Sequence, residues 1–154
     1  MIRVQEEPFD IAAELHAIRS GNHKIGGTAL FAGSVRDLNL GEQVSAMTLE
    51  HYPGMTEKAL AGIEAEANER WPLDASLIVH RYGRMQPGED IVLVITCSSH
   101  REAAFEACQF LMDWLKTRAP FWKLEEGGDT EAAKWVDARE SDDKAADRWS
   151  REEK

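Results

Sequence analysis

The sequence is short of positive charge. Its 18 lysines and arginines stand against 28 aspartates and glutamates, a formal net charge of -10. A surface of that sign repels a phosphate backbone unless its few cations gather on one face. Nucleic acid is therefore disfavoured as a partner. Cysteine is scarce as well: the two present, Cys97 and Cys108, both lie in apolar runs. There a thiol acts as a small core residue, not as half of a redox pair or part of a metal set, and such usage fits the reduced cytoplasm. No run approaches the roughly 20 apolar residues of a membrane span, and the first ten residues lack a basic segment followed by a long apolar one. A soluble, cytoplasmic protein with no membrane partner is expected. Also missing are a glycine-rich phosphate loop and the paired-cysteine and His-Glu-x-x-His metal signatures. The five histidines are scattered, and Ser34, Ser98 and Ser99 lack a nucleophile-elbow context. Neither a metal nor a cofactor is expected.

What is present is the length of a single domain: 154 residues bury a core without disulfides or metals. One domain over residues 1–154 is expected, fraying after about residue 150. Residues 2–4 suit a short strand, and Asp10 can cap a helix to Arg19 whose apolar stripe is Ile11, Leu15 and Ile18. Residues 26–36 read as a strand apolar on both faces, with a polar turn at 37–42. Residues 44–52 alternate as a half-buried strand, and 55–70 form an amphipathic helix carrying Leu60, Ile63 and Ala67. Strands at 75–82 and 90–98 flank the Gln86-Pro87-Gly88-Glu89 turn. Ile91 to Ile95 are apolar throughout, the mark of a central strand. A helix at 100–118, a strand at 121–125, a returning strand at 134–137 and a short helix at 141–149 complete the chain. The fold class is α+β, helices on a mixed, largely antiparallel sheet with a small additional hairpin. From residue 44 onward a ferredoxin-like split βαβ arrangement is one way to arrange these elements.

Chemistry concentrates between Ser98 and Lys123. Ser99 followed three residues later by Glu102 is a capping-box pattern, placing His100 and Arg101 in the first turn of a helix, where unpaired N–H groups and the dipole favour an anion. Ala104, Cys108, Leu111 and Leu115 make its core stripe, widened by Phe105 and Met112. Lys116 falls on the wet face, with Asp113 as a surface ion-pair partner. Lys123 follows the Pro120 stop, beside a Phe121-Trp122 pair bulky enough to desolvate it partly. With Arg36 at a strand end, these cations make a candidate anion site. Arginine supplies a planar fork, and lysine supplies a mobile charge able to transfer protons when its surroundings lower its pKa. The same residues also read as solvated surface charges, and periodicity does not separate the two readings.

Six motifs in order sharpen the choice: F-A-G-S-V-R-D-L-N-L-G (31–41), L-E-H-Y-P-G-M-T (49–56), H-R-Y-G (80–83), S-H-R-E-A-A-F-E-A (99–107), L-K-T-R-A-P-F-W-K (115–123) and W-V-D-A-R-E-S (135–141). Together they resemble the MoaE family, the large catalytic subunits of molybdopterin synthase, over nearly the whole chain. The resemblance implies an α/β-hammerhead fold and a sulfurtransferase. Its reaction moves sulfur from the thiocarboxylated C-terminal glycine of a small ubiquitin-like subunit of the MoaD type to cyclic pyranopterin monophosphate, making the dithiolene of molybdopterin. It also implies a heterotetramer around a central dimer of large subunits. By the same resemblance, Ser34, Val35 and Arg36 match a substrate-binding loop and His100 with Arg101 an anion-binding pair. Lys116 matches a catalytic lysine near the inserted tail, and Lys123 a second lysine with Leu124 and Glu125 as further substrate contacts. Arg139 matches an arginine contributed across the dimer. Leu124 stands where many members have a basic residue. The rival class is a non-enzymatic sensor binding an anionic metabolite on a ferredoxin-like sheet.

Overall fold

Residues 1–39, 41–127, 130–136 and 140–150 are described by the computed structural model. In chain order the elements are β1 (Ile2–Gln5), α1 (Ile11–Arg19), β2 (Gly27–Ser34), β3 (Leu38–Asn39), β4 (Glu42–Gln43), β5 (Ala46–His51), α2 (Met55–Arg70), β6 (Leu73–Arg81), β7 (Gly83–Met85), β8 (Asp90–Ser98), α3 (Arg101–Arg118), β9 (Phe121–Gly127), β10 (Thr130–Val136) and α4 (Glu140–Ser150). The α+β class holds, but the strands divide between two four-stranded sheets, ordered β1-β6-β8-β2 and β10-β9-β5-β7, and a two-stranded ladder of β3 and β4. The pairing of β1 with β6 is parallel, and the other described pairs are antiparallel.

The first sheet is a middle layer. Alternation along β6 and β8 sends Ile78, Val92 and Val94 toward α2 and α3, where Leu60, Ile63, Phe110 and Leu111 complete the larger core. Leu77, Val79, Leu93, Ile95 and Cys97 face the other way, under Ile11, Leu15 and Ile18 of α1. The apolar run in β8 is thus buried on both faces, and β8 lies between β6 and β2. Both cysteines are buried and free. α4 closes the far side of α3. The Trp149 ring stands edge-on to Trp71 and Phe110 at 5.6 and 5.5 Å, and its Nε1–H donates to Asp113 Oδ2 at 2.7 Å.

Several expectations are corrected. A ferredoxin-like arrangement would place β5, β6, β8 and β9 in one sheet; instead β5 pairs with β9 and β6 with β8, in separate sheets. The expected hairpin is there as β9 and β10, and β9 joins it to β5. The polar turn at 37–42 contains the small β3–β4 ladder, and residues 83–85 form a strand that periodicity over three residues is too short to show. Phe105 is 64% exposed and not core, since it lies on the part of α3 that neither the sheet, α2 nor α4 covers. Asp113 pairs with Arg148 at 3.2 Å, so α4 and not Lys116 takes it. No helix among the described residues is long and apolar enough to cross a membrane.

Candidate functional site

Strand directions decide which cations meet. β2 and β8 are antiparallel, with Gly27 opposite Ser98 and Ser34 opposite Asp90. α3 leaves β8 after Ser98 and returns along it. One end of the layer therefore holds the start of α3 with His100 and Arg101. The other holds the end of β2 with Arg36, the end of α3 with Lys116, and the start of β9 with Lys123. Arg101 and Lys116 are fifteen residues apart in α3, about 22 Å along its axis at 1.5 Å per residue. Within one chain the two helix ends do not wall a single small-molecule pocket, contrary to the expectation from sequence.

At the first end, the helix begins one residue later than the Ser99 pattern suggests. His100 is the N-cap residue, without a side-chain capping bond; its N–H donates to Ser98 Oγ at 3.5 Å. The start of β2 comes unusually close. A Cβ on Gly26 would stand 2.1 Å from the Ser99 carbonyl oxygen, and one on Gly27 would stand 3.1 Å from the Arg101 Cα. His100 and Arg101 are exposed. Free N–H groups and two basic side chains at one helix start suit an anion.

At the opposite end, a tethered loop carries Arg36. The Ser34 hydroxyl donates to Asp90 Oδ1 at 2.8 Å, and Val35 is buried with Met47, Leu49 and Met85. The Val35 N–H donates to the Glu89 carbonyl at 2.9 Å, and the Gly88 N–H donates to the Val35 carbonyl at 2.8 Å. Glu89 fixes that turn in its own right. Its carboxylate accepts from the Gln86 N–H at 2.6 Å and from Arg81 at 3.3 Å. The Gln86 hydrogen bond, helped by the Arg81 bond and charge, holds the Glu89 carboxyl below the usual carboxylate range although burial opposes it. The buried Arg81 also donates to the carbonyls of Glu6 and Asp90 at 3.0 and 3.1 Å. Arg36 itself is exposed and lines a shallow, open depression with Val35, Asp37, Leu38, Pro87 and Gly88.

The two lysines flank the corner between α3 and β9. Lys116 is exposed in the last turn of α3, and Lys123, half-buried, lies opposite Leu49 in β5. Phe121, Lys123 and Glu125 share one face of β9, and Trp122 and Leu124 take the other. Trp122 is 47% exposed, so Phe121 alone of the aromatic pair shelters Lys123. Next to this corner is a residue that the sequence does not single out. His80 is 6% exposed, stacked on Phe121 with ring centroids 3.8 Å apart and planes 18° from parallel. Its Nδ1 is 2.8 Å from the Arg81 carbonyl oxygen. Burial drives its pKa down to about 4; the backbone hydrogen bond resists, while the charges of Lys116, Lys123 and His51 push the same way as burial. Its place at the end of the apolar run Leu77 to Val79 was the available signal.

Arg36, Lys116 and Lys123 thus gather at one end, with Ser34, Val35, Leu124 and Glu125 on the elements that carry them. His100 and Arg101 lie at the opposite end, and Arg139 falls outside the described residues. Among the described residues no group of three His, Cys, Asp or Glu side chains is placed to hold a metal.

Residues 4–118 match the family model described as MoaE protein. The chain is 56% identical over 148 residues to the molybdopterin synthase catalytic subunit of Pseudomonas aeruginosa, covering 96% of this chain and 97% of that one. Among solved structures it is similar to a molybdopterin biosynthesis MoaE protein from Burkholderia ambifaria, with 55% identity, 97% of each chain covered and a TM-score of 0.82. It is also similar to the molybdopterin synthase of Staphylococcus aureus, with 32% identity, 88% of this chain and 96% of that one covered, and a TM-score of 0.79.

Proposed function

The chain belongs to the MoaE family, and from that premise we propose that it is the catalytic subunit of a molybdopterin synthase, a sulfurtransferase of molybdenum cofactor biosynthesis. Its substrates are cyclic pyranopterin monophosphate and the thiocarboxylated C-terminus of a small ubiquitin-like subunit. In each transfer the thiocarboxylate sulfur forms a carbon–sulfur bond on the pterin side chain as a carbon–oxygen bond there breaks, water then cleaves the acyl–sulfur bond and returns the tail as a carboxylate, and the cyclic phosphate opens along the way. The observation that carries the assignment of residues is the meeting of Lys116 and Lys123, from different elements, beside His80 and Phe121, with the Arg36 loop packed on the same apolar cluster.

Lys116, on the exposed last turn, neutralises the thiocarboxylate of the incoming tail and moves protons as sulfur leaves it. Lys123, sheltered by Phe121, holds the pterin side of the reaction and assists proton transfer. Arg36 presents its fork to the phosphate and stabilises charge as the ring opens. Glu125 and the backbone of Ser34, Val35 and Leu124 line the same end. His100 and Arg101, about 22 Å from Lys116 along α3, serve a site completed by a second copy of the chain, as does Arg139. That arrangement is a dimer of large subunits flanked by two small ones. The active unit is one domain over residues 1–154, located in the cytoplasm, where Cys97 and Cys108 stay reduced. A ferredoxin-like sensor is not favoured, because the strands it needs in one sheet lie in two.

The test combines the purified protein, a thiocarboxylated small subunit and cyclic pyranopterin monophosphate, and reads the dithiolene product by mass spectrometry. Lys116→Ala should abolish conversion while circular dichroism and affinity for the small subunit stay as in the wild type. Normal turnover by that variant sinks the assignment.

A further inference from the structure

Between Lys116 and Lys123 the chain turns from helix to strand at Ala119 and Pro120, so the position of that corner sets the backbone on which each lysine stands. Two buried groups hold it. The Thr56 hydroxyl, fully buried, donates to the Pro120 carbonyl at 3.0 Å and accepts from the Tyr52 N–H at 3.0 Å. His80 lies flat on the next residue, Phe121, whose side chain shares a face of β9 with Lys123 because both stand opposite alternate residues of β5, His51 and Leu49.

The orientation of the imidazole is itself determined. A carbonyl oxygen only accepts, so the His80 nitrogen 2.8 Å from the Arg81 carbonyl is the one that carries the proton, and the other keeps its lone pair. The ring is anchored through its edge to β6 and through its face to β9, the two strands belonging to different sheets. Beside two ammonium groups and out of water, it stays uncharged.

We propose that His80 is a positioning residue for the two lysines, its ring seating Phe121 and through it setting where Lys123 stands relative to Lys116. The inference rests on the proposed roles of those lysines. It differs from a general packing role in what it predicts. Misplacing a reacting group by about 1 Å can cost on the order of a hundredfold in rate, whereas loss of packing alone lowers stability and leaves turnover of the folded fraction intact.

Four variants are assayed for sulfur transfer with thiocarboxylated small subunit and cyclic pyranopterin monophosphate, with thermal unfolding and small-subunit affinity measured on each. His80→Asn can still donate to the Arg81 carbonyl but removes the stack. Its kcat should fall by about tenfold to a hundredfold, with a smaller rise in KM for the pterin that Lys123 holds and with affinity for the small subunit within about twofold of wild type. His80→Phe keeps the stack and gives up the hydrogen bond; it should lose stability yet turn over within about threefold of wild type. A folded Asn variant with wild-type kcat overturns the proposal, as does a Phe variant impaired as much as the Asn one. Should His80→Asn fail to fold, Phe121→Leu removes the stack from the other side: a matching loss of kcat supports the proposal and wild-type turnover overturns it. Lys123→Ala separates the two levels. If that variant turns over normally, the functional reading itself has failed; if it is inactive while the His80 variants are unaffected, only the positioning role has.

Discussion

Burying a histidine costs most when it has to carry a charge, and His80 shows the consequence. Its pKa falls to about 4 in the fold, below the 6.5 of the unfolded chain, so between these values the unfolded state holds the extra proton. Stability should therefore be intact above about pH 6.5 and decline as pH falls toward 4, by roughly 3 kcal/mol if this group acts alone. Urea midpoints at pH 7.5 and 4.5 check it. His80→Phe, which has nothing to protonate, should show a visibly smaller drop. A different single-residue limit applies where β2 meets the start of α3. Gly26→Ala puts a Cβ 2.1 Å from a backbone oxygen, a contact neither partner can leave without moving its element. It should destabilise by about 2 kcal/mol or more, read from chemical denaturation. Residue type and neighbours in sequence announced Arg36, Lys116 and Lys123 as candidate cations. They did not announce His80, whose ring partner is Phe121, 41 positions away along the chain.

Helices and strands were legible wherever a period ran long enough to be counted. α1, α2 and α3 follow their apolar stripes, and β8 reads as central from its unbroken run. Elements of two or three residues, β3, β4 and β7, have no period to read. The start of α3 shows the limit of a local motif. Ser99 and Glu102 have capping-box spacing, yet the helix starts at Arg101 because Gly26 docks its N–H on the Ser98 carbonyl at 3.0 Å and holds that segment extended. The turn at 86–89 carries the opposite lesson, since its proline and glycine predicted the turn but not its purpose. Through Glu89 and Arg81 it braces the loop that presents Arg36. Glu89→Ala should cost on the order of 1 kcal/mol and speed amide exchange at Val35. Its catalytic effect should be a raised KM for the cyclic pterin together with a lower kcat, because it loosens the arginine that both holds the phosphate and stabilises the charge of its opening, while the lysine corner is left alone. Equal KM values for Glu89→Ala and wild type would disprove that link.

For the molecule as a whole, the length of α3 is the constraint with the widest reach. If His100 and Arg101 of one copy complete the site holding Lys116 and Lys123 of another, two inactive variants should complement. Co-expressed Arg101→Ala and Lys116→Ala chains, pairing at random, should recover roughly a quarter of wild-type activity, because half the dimers are mixed and each mixed dimer keeps one intact site. Sites built within single chains would recover none. The sequence by itself determined the α+β class, the boundaries of the long elements, the cationic inventory and, through six ordered motifs, the family. Those depend on periodicity, capping and residue identity, which are properties of neighbours along the chain. Only the tertiary structure decided that β5 and β9 leave the sheet of β6 and β8, that Asp113 serves Trp149 and Arg148, and that α3 parts its two basic ends while His80 stacks on Phe121. Each follows from antiparallel pairing and helix length, which convert separation along the chain into distance in space, and no local pattern carries that information.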